Sequence, residues 1–345
     1  MSVTKERVRF AVVGCGRIGK RHAEMIVRHP EAELVALCDV APYETLQPES
    51  YSAPFYASLT ELLSADLAPD VISVCTPNGT HAELSLQALE ARAHVVCEKP
   101  MALTKANCEA VIFKALQVSR QVFCVMQNRY SPPSVWIKDM ISQRRLGDIY
   151  MVQIDCFWNR DDRYYQPGTW KGTAALDGGT LFTQFSHFID IMYWLFGDIT
   201  NIHSALRDFA HQTTTEFEDS GVVTFDFVNG GVGCLNYSTA VWDQNMESSL
   251  TVVGSQGSVK VGGQYMNEVV YCHVKDYQMP TLPPANPAND YGPYKGSAAN
   301  HHFVIENVVD TLKGRSSATT NALEGLKVVE IIERVYQAGN RHLKR

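Results

Sequence analysis

Short apolar runs alternate with amphipathic stretches through the first third of the chain. Phe10-Ala11-Val12-Val13, Leu34-Val35-Ala36-Leu37-Cys38, Val71-Ile72-Ser73-Val74-Cys75, His94-Val95-Val96-Cys97 and Val122-Phe123-Cys124-Val125-Met126 are almost continuously apolar. Strands buried on both faces read this way. Helical patterns separate them at 18–28, 81–91 and 105–118, which predicts an α/β domain with a parallel sheet covered on both sides. The pattern then changes. Strands are predicted at 151–157, 222–227, 233–237, 250–253 and 269–274, interrupted by one long helix at 181–196. This describes an α+β domain with a large, mostly antiparallel sheet and helices on one face. The Pro-, Asn- and Gly-rich stretch 279–296 is expected to be a loop. Two helices, 300–312 and 322–338, close the chain. The boundary falls near Gln127, giving domains of residues 1–127 and 128–345, with no internal repeat.

Composition narrows this picture. A chain of 345 residues fits two domains, and 45% apolar residues suffice for packed cores. The formal net charge of −7 argues against a broad nucleic-acid surface. No two of the nine cysteines have C-x-x-C spacing. They read as small core residues in a reducing compartment, not as disulfides or metal ligands, and no metal site is expected. There is no signal-peptide core and no apolar run long enough to span a bilayer, so the expected location is the cytoplasm, without membrane insertion.

Gly14-Cys15-Gly16-Arg17-Ile18-Gly19 follows the first strand and opens a helix. In that setting G-x-G-x-x-G gives a tight turn, a close approach of backbone to a pyrophosphate, and close helix–strand packing. Free N–H groups at the helix start, around Arg17 and Ile18, would hold the phosphates. Asp39 ends the second strand, where its carboxylate would accept hydrogen bonds from an adenosine ribose. It would repel a 2′-phosphate, and no Arg follows in Val40-Ala41-Pro42. The expected cofactor is therefore NAD.

Thr76-Pro77-Asn78 and Glu98-Lys99-Pro100 each follow a predicted strand, at the sheet edge that carries the ligand crevice. The first reads either as a rigid loop against the cofactor or as a plain turn. The second sets a charged pair at the end of a buried strand, which is costly unless the pair is used or mutually satisfied. On the helix opened by Asp177-Gly178-Gly179, spacings of three and four put Gln184, His187, Asp190 and Trp194 near one face. A histidine on such a helix is usually a core residue, but imidazole is also the side chain best tuned for proton transfer at neutral pH.

Together, G-C-G-R-I-G, C-T-P-N at Cys75–Asn78 and E-K-P at Glu98–Pro100 resemble the Gfo/Idh/MocA oxidoreductases, along essentially the whole chain. The resemblance implies a two-domain NAD(P)-dependent enzyme acting on sugars or cyclitols, commonly a homo-dimer or homo-tetramer formed through its second sheet. It also implies that His187 pairs with Lys99 as the catalytic set. Many members carry an Asp four residues before this His, where this chain has Thr183, which argues against the inositol dehydrogenase branch.

Longer stretches resemble the UDP-N-acetylglucosaminuronate 3-dehydrogenases of surface-polysaccharide biosynthesis within that family. They are Gln127-Asn128-Arg129-Tyr130, Tyr164-Tyr165, Trp170-Lys171-Gly172-Thr173, Thr183-Gln184-Phe185-Ser186-His187-Phe188, Tyr294-Lys295-Gly296-Ser297, Asn300-His301-His302 and 320–325. The expected cofactor contacts are then Gly14, Gly16, Arg17, Ile18, Gly19, Asp39, Thr76, Pro77, Asn78, His81, Glu98, Lys99, Gln127, Trp170 and Lys171. The expected substrate contacts are Lys99, Arg129, Tyr130, Arg163, Tyr164, Thr183, Gln184, His187, Tyr294 and His301. A nucleotide-sugar acid presents a carboxylate and a diphosphate. Arg129, Arg160, Arg163 and Lys171 are candidates to meet them, and Tyr130, Tyr164, Tyr165 and Trp170 to pack on ring faces. Residues 159–163 read equally as a solvated loop, because Asp161 and Asp162 dilute the charge. The expected reaction is removal of a hydroxyl proton by His187, helped by Lys99, as hydride passes to the nicotinamide. The rivals are a dehydrogenase of a free aldose or cyclitol, and a non-catalytic NAD(H) sensor or scaffold.

Overall fold

The computed structural model describes residues 7–46, 51–292 and 294–339. The chain divides into two compact units, Met1–Met126 with His301–Val329, and Gln127–Asn300 with Glu330–Arg345. The first crossing lies beside the expected Gln127. The return of 301–329 to the first unit corrects the single division into 1–127 and 128–345. An amphipathic helix shows that it covers a core, but not which of two cores it covers.

In the first unit β1 (Val8–Val13), α1 (Arg17–Arg28), β2 (Ala32–Cys38), α2 (Tyr43–Leu46), β3 (Phe55–Tyr56), α3 (Leu59–Ser64), β4 (Val71–Val74), α4 (His81–Glu90), β5 (His94–Cys97), α5 (Lys105–Val118) and β6 (Val122–Cys124) follow in order. The sheet runs β3-β2-β1-β4-β5-β6 with every pairing parallel. The chain reverses direction across the sheet between β1 and β4, and the crevice beyond their C-terminal ends is where such sheets bind ligands. All four residues of β4 are buried, as strands covered on both faces should be. Helix α1 buries Gly19, His22, Ala23 and Ile26, a stripe at helical spacing. Helix α5 starts where the Thr104 hydroxyl accepts the Asn107 N–H at 3.1 Å and stops at Ser119, whose φ is +54°.

The second unit contains α6 (Pro132–Ser142), β7 (Ile149–Phe157), α7 (Ser186–Phe196), β8 (Ile199–Arg207), β9 (Ser220–Phe227), β10 (Val232–Ser238), β11 (Glu247–Gly254), β12 (Gly257–Gly262), β13 (Glu268–Val274), β14 (Ala288–Asp290) and β15 (Lys295–Ala298). Its seven-stranded sheet runs β13-β12-β11-β7-β10-β9-β8. It is antiparallel except at its centre, where β7 and β10 pair in parallel. Phe185, just before α7, and Phe196 at its end lie on this sheet through aromatic pairs, Phe185–Tyr237 at 5.7 Å and Phe196–Phe227 at 5.3 Å between ring centres. The expected loop 279–296 holds the short β14–β15 ribbon at its end. The expected helix 181–196 is two pieces, a π-helical turn over Leu181–Phe185 and then α7. Helices α8 (His301–Leu312) and α9 (Ala322–Ala338) end the described chain, and among the described residues no helix is long and apolar enough to cross a membrane.

Candidate active site

The glycine turn forms for steric reasons. Gly14 has φ +90°, and a Cβ there would lie 2.6 Å from the Cys75 carbonyl oxygen; a Cβ at Gly19 would lie 1.7 Å from the Gly14 oxygen. Gly16 differs. It is the N-cap of α1, its φ of −67° suits any residue, and nothing lies within 4 Å of where a Cβ would stand. A side chain here would project into the open space over the helix N-terminus, so the glycine keeps the approach to the helix amides clear. No acidic residue occupies the first turn of α1, and the positive end of the helix faces that space uncancelled. The residues present therefore fit a dinucleotide. Asp39 braces the turn: one carboxylate oxygen accepts the Cys15 N–H at 2.6 Å and the other the Ala41 N–H at 2.9 Å. Each oxygen keeps a lone pair for a ribose hydroxyl.

Two further loops leave the same sheet edge. Thr80 Oγ1 donates within the Thr76-Pro77-Asn78 turn, lying 2.8 Å from Thr76 Oγ1 and 2.7 Å from the Pro77 oxygen. His81, expected at the cofactor, is a buried strut. Its Nδ1 lies 2.7 Å from the Pro100 oxygen and its Nε2 2.8 Å from the Thr76 oxygen, so the ring stands between the two loops and, when neutral, donates to one of the two carbonyls. Burial holds this imidazole below its ordinary pKa, against the two carbonyls. Glu98 is buried, with His22 Nε2 at 3.0 Å and His301 Nε2 at 3.5 Å from its Oε1, and its Oε2 accepts the Lys99 N–H at 3.2 Å. Lys99 is half-buried and precedes a cis peptide bond to Pro100. His301, expected among the substrate contacts, lies in this first unit with Glu98 as its neighbour.

In the second unit, Gln127 Nε2 lies 3.3 Å from His187 Nε2. With its N–H turned to the ring, the amide donates to an unprotonated Nε2, whose lone pair a substrate hydroxyl must take over before that nitrogen can act as a base. The Gln127 turn is pinned from 297–300: the Ser297 hydroxyl donates to Asn128 Oδ1 at 2.5 Å, and Asn300 Nδ2 donates to the Gln127 oxygen at 3.2 Å. Arg129, expected among the substrate contacts, is enclosed with an acid. It is 2% exposed, and its guanidinium is taken up by Asp190 through Nε at 2.8 Å and Nη2 at 2.6 Å. The carboxylate offsets the cost of burying the guanidinium, and the pair fastens the segment after Gln127 to α7. Asp190 and Trp194 thus face Arg129 while His187 faces Gln127. Gln184, offset by the π-helical turn, accepts from Arg160 Nε at 2.7 Å. Thr183 donates to Asp177 Oδ1, so a buried carboxylate reaches this part of the helix.

Arg163 is a surface residue whose guanidinium pairs with Asp161 at 2.7 Å and Asp243 at 3.4 Å, which answers the solvated-loop reading of 159–163 for this side chain. Arg160, one of the four basic residues expected to meet the carboxylate or the diphosphate, is the unusual member. It is 2% exposed and, among the described residues, donates to neutral acceptors: Gln184 Oε1, the Asn159 and Lys295 oxygens, and Asn245 Oδ1. The rings of Trp158, Tyr164 and Tyr294 lie 4.8, 5.3 and 5.1 Å from its Cζ. Lys171 Nζ stands 3.9 Å over the Tyr164 ring and donates to the Tyr294 hydroxyl at 3.1 Å. Lys171 also lines a cleft of about 290 Å³ together with Tyr165, Thr169, Thr173, Thr214 and Glu216. Tyr130 and Trp170 are partly exposed beside these groups in sequence.

A doubly wound parallel sheet, a glycine turn capping its first helix and an acid ending its second strand define a nucleotide-binding domain of the Rossmann class, here followed by an α+β domain. Residues 8–125 match the oxidoreductase family with NAD-binding Rossmann fold, and residues 135–260 match the C-terminal domain of the same Gfo/Idh/MocA group. The chain belongs to the Gfo/Idh/MocA oxidoreductase family. It is similar to the WlbA dehydrogenase of Bordetella pertussis, solved with NADH and UDP-GlcNAcA, at 30% identity over 97% of each chain with a TM-score of 0.84. The WlbA enzyme of Chromobacterium violaceum, solved with the same two ligands, is 30% identical over 98% of this chain and 95% of its own, with a TM-score of 0.86. The D-glucoside 3-dehydrogenase of Escherichia coli K12 is 25% identical over 98% of this chain and 97% of its own.

Proposed function

We propose that this NAD-dependent oxidoreductase converts a sugar hydroxyl to a ketone at C3 of UDP-N-acetylglucosaminuronic acid, as a step in surface-polysaccharide biosynthesis. The observation that carries the reading is the likeness to two WlbA enzymes at 30% identity along nearly the full chain. Arg160 supports it from this chain's own residues. A buried cation without a carboxylate partner and a lysine on the same aromatic pair give an electropositive region suited to an acidic sugar nucleotide.

NAD, when bound, supplies the carbon that accepts the hydride. Gly14, Gly16 and Gly19 shape the cradle for its pyrophosphate, the amides at Arg17 and Ile18 face it, and Asp39 holds the ribose. His187 takes the proton from the sugar hydroxyl, with Gln127 orienting the ring. Lys99, which the family resemblance pairs with His187 as the catalytic set, stabilises negative charge that develops in the reaction. The cytoplasm and a homo-dimer or homo-tetramer complete the reading. Nine free thiols suit a reducing compartment. Tyr150, Met151, Val222, Val232, Val253 and Tyr271 are exposed apolar side chains along the strands of the second sheet, and apolar sheet surface favours association.

The test is NADH formation with UDP-GlcNAcA, glucosides and inositol in parallel. The uronic acid nucleotide should be preferred. Turnover of a glucoside with no response to any UDP-sugar would favour the second reading, a free-sugar dehydrogenase, for which the Escherichia coli relative argues.

A further inference from the structure

Three elements of the first unit converge on one buried carboxylate. His22 comes from the buried stripe of α1, three residues past the glycine turn, and His301 is the first residue of α8. Glu98 follows β5 and carries Lys99 as its neighbour. The exposures of His22, Glu98 and His301 are 1%, 7% and 2%. Both carboxylate oxygens face donors: Oε1 the two imidazoles, Oε2 the Lys99 amide. An ionised carboxylate only accepts, so His22 must carry its proton on Nε2. The Nδ1 atoms of His22 and His301 are buried and have no hydrogen-bond partner among the described residues.

These three ligand atoms lie within 4.8 Å of one another and could be read as a metal site. The unpartnered Nδ1 atoms speak against it. An imidazole bound to a metal through Nε2 carries its proton on Nδ1 and nearly always donates it to an acceptor. Here neither ring has one, whereas the Nε2–H form leaves only a bare acceptor unmet.

We propose that Glu98 is a positioning residue for Lys99: His22 and His301 hold its carboxylate in place, and that carboxylate fixes the Lys99 backbone so that the ammonium is presented in one orientation. This rests on the reading of Lys99 as a catalytic residue. It also gives the helix that begins at the cofactor turn a mechanical link, through His22, to the lysine loop.

The link has a pH signature. Burial pushes the Glu98 carboxyl up, but the hydrogen bonds from His22 and His301 outweigh it and hold the group well below the usual range. The other groups that act on Glu98 stay uncharged around neutrality: burial lowers His81 and raises the Cys75 and Cys97 thiols. Lys99 is the remaining charge on this loop, and Arg21 acts on His301. Removing His22 therefore raises the Glu98 pKa. The anchoring anion is then lost as pH falls through that raised value, and the acid limb of kcat moves to higher pH.

The experiment measures kcat, KM and their pH profiles for UDP-GlcNAcA oxidation by the full chain, with Lys99→Met, Glu98→Ala, His22→Leu and His22→Gln. Glu98→Ala and His22→Leu should lower kcat about 10–100-fold, as expected for an ångström-scale misplacement, and KM for NAD much less. His22→Leu should shift the acid limb upward, and His22→Gln, which keeps an N–H donor, should restore much of kcat. If Lys99→Met abolishes turnover while His22→Leu and Glu98→Ala change only Tm, the positioning role is overturned and the reading of Lys99 stands. An active Lys99→Met protein overturns both. Imidazole 15N shifts of the wild-type protein give a measurement free of variants. An Nε2–H tautomer at His22 is expected; an Nδ1–H tautomer there, or stoichiometric zinc in the purified protein, overturns the proposal.

Discussion

Replacing Asp190 by Ala removes the carboxylate that neutralises Arg129. The two side chains are 1% and 0% exposed, with their closest contact at 2.6 Å, and the Trp194 ring lies 5.2 Å from the guanidinium carbon. Water cannot replace the acid without opening this packing. Breaking a buried pair from one side costs about 3–5 kcal/mol, because the stranded charge stays in a low-dielectric interior. For a domain of this size each kcal/mol moves Tm by about 2–4 °C, so the transition should fall by about 6–20 °C. Differential scanning calorimetry at pH 7 reads this directly. The paired replacement of Arg129→Met with Asp190→Leu removes both charges and keeps volume. Its Tm should recover to within a few degrees of wild type, since exchanging a buried pair for apolar side chains is often neutral or stabilising. An Asp190→Ala protein that melts with the wild type would refute the reasoning. The paired variant also separates two roles for Arg129. Normal KM in a stable paired variant leaves Arg129 structural, whereas a KM raised tenfold or more returns it to the substrate contacts.

Titration calorimetry should show tighter binding of NAD(H) than of NADP(H), and Asp39→Ala should narrow the gap; equal affinities in the wild type would remove the argument from Asp39. The same variant should weaken NAD itself, because Asp39 also accepts the Cys15 and Ala41 N–H groups. Glu31 is pulled from 4.5 to about 2, first by its hydrogen bond from Arg315 and then by Lys313. A depressed carboxyl pKa gives stability that is present above the unfolded value and lost as pH falls from about 4.5 towards 2. Glu31→Gln should flatten the Tm profile in that window, and an unchanged acid slope would count against the Glu31 contribution. Single-turnover hydride transfer should fall ~10²–10⁴-fold in His187→Ala and in Lys99→Met. The double variant should be little worse than the poorer single one, and strict additivity would mean that the two residues do not act as a unit.

Local rules carried the first unit further than the second. The glycine turn, the β1-to-α1 step and α5 were legible because each rests on neighbours in sequence: three glycines, a Thr cap, an apolar stripe. Helix α6 was not expected, since Pro132-Pro133 reads as a breaker, yet proline at the first helical position lacks only an N–H that would be unsatisfied anyway. Strand β8 escaped because its burial does not alternate cleanly, as befits an edge strand. At the site, the glycines and the E-K-P loop were visible, but their partners were not. His22 shows in the sequence only as one polar residue on an apolar helix stripe, and Glu98 lies 76 residues away from it. Arg129 and Asp190 are 61 residues apart, and nothing local distinguishes an arginine bound to an acid from one that awaits a ligand. The offset of Gln184 from the His187 face needs the π-helical turn, which has no pattern of its own.

The two buried arginines of the second unit show why pairing matters for function. Both are 2% exposed, so both meet the same desolvation cost. Arg129 meets it with a carboxylate, and the pair is electrically closed: seen from a few ångströms away its field largely cancels. Arg160 meets it with amide and carbonyl oxygens and aromatic faces, which satisfy the N–H groups and attract the cation but leave its net charge in place. Burial lowers the Arg160 pKa, yet a guanidinium starts so high that it stays protonated at neutral pH. In a poorly screened interior that charge acts over a longer range than it would in water. A side chain that holds its charge without an acid favours an anionic ligand, and a neutral glucoside offers it no carboxylate or phosphate. The structural contrast therefore bears on substrate choice. An Arg160 that is merely a packing element would leave discrimination between UDP-GlcNAcA and its neutral hexose counterpart unchanged when its charge is removed. One that supplies the field would lose it.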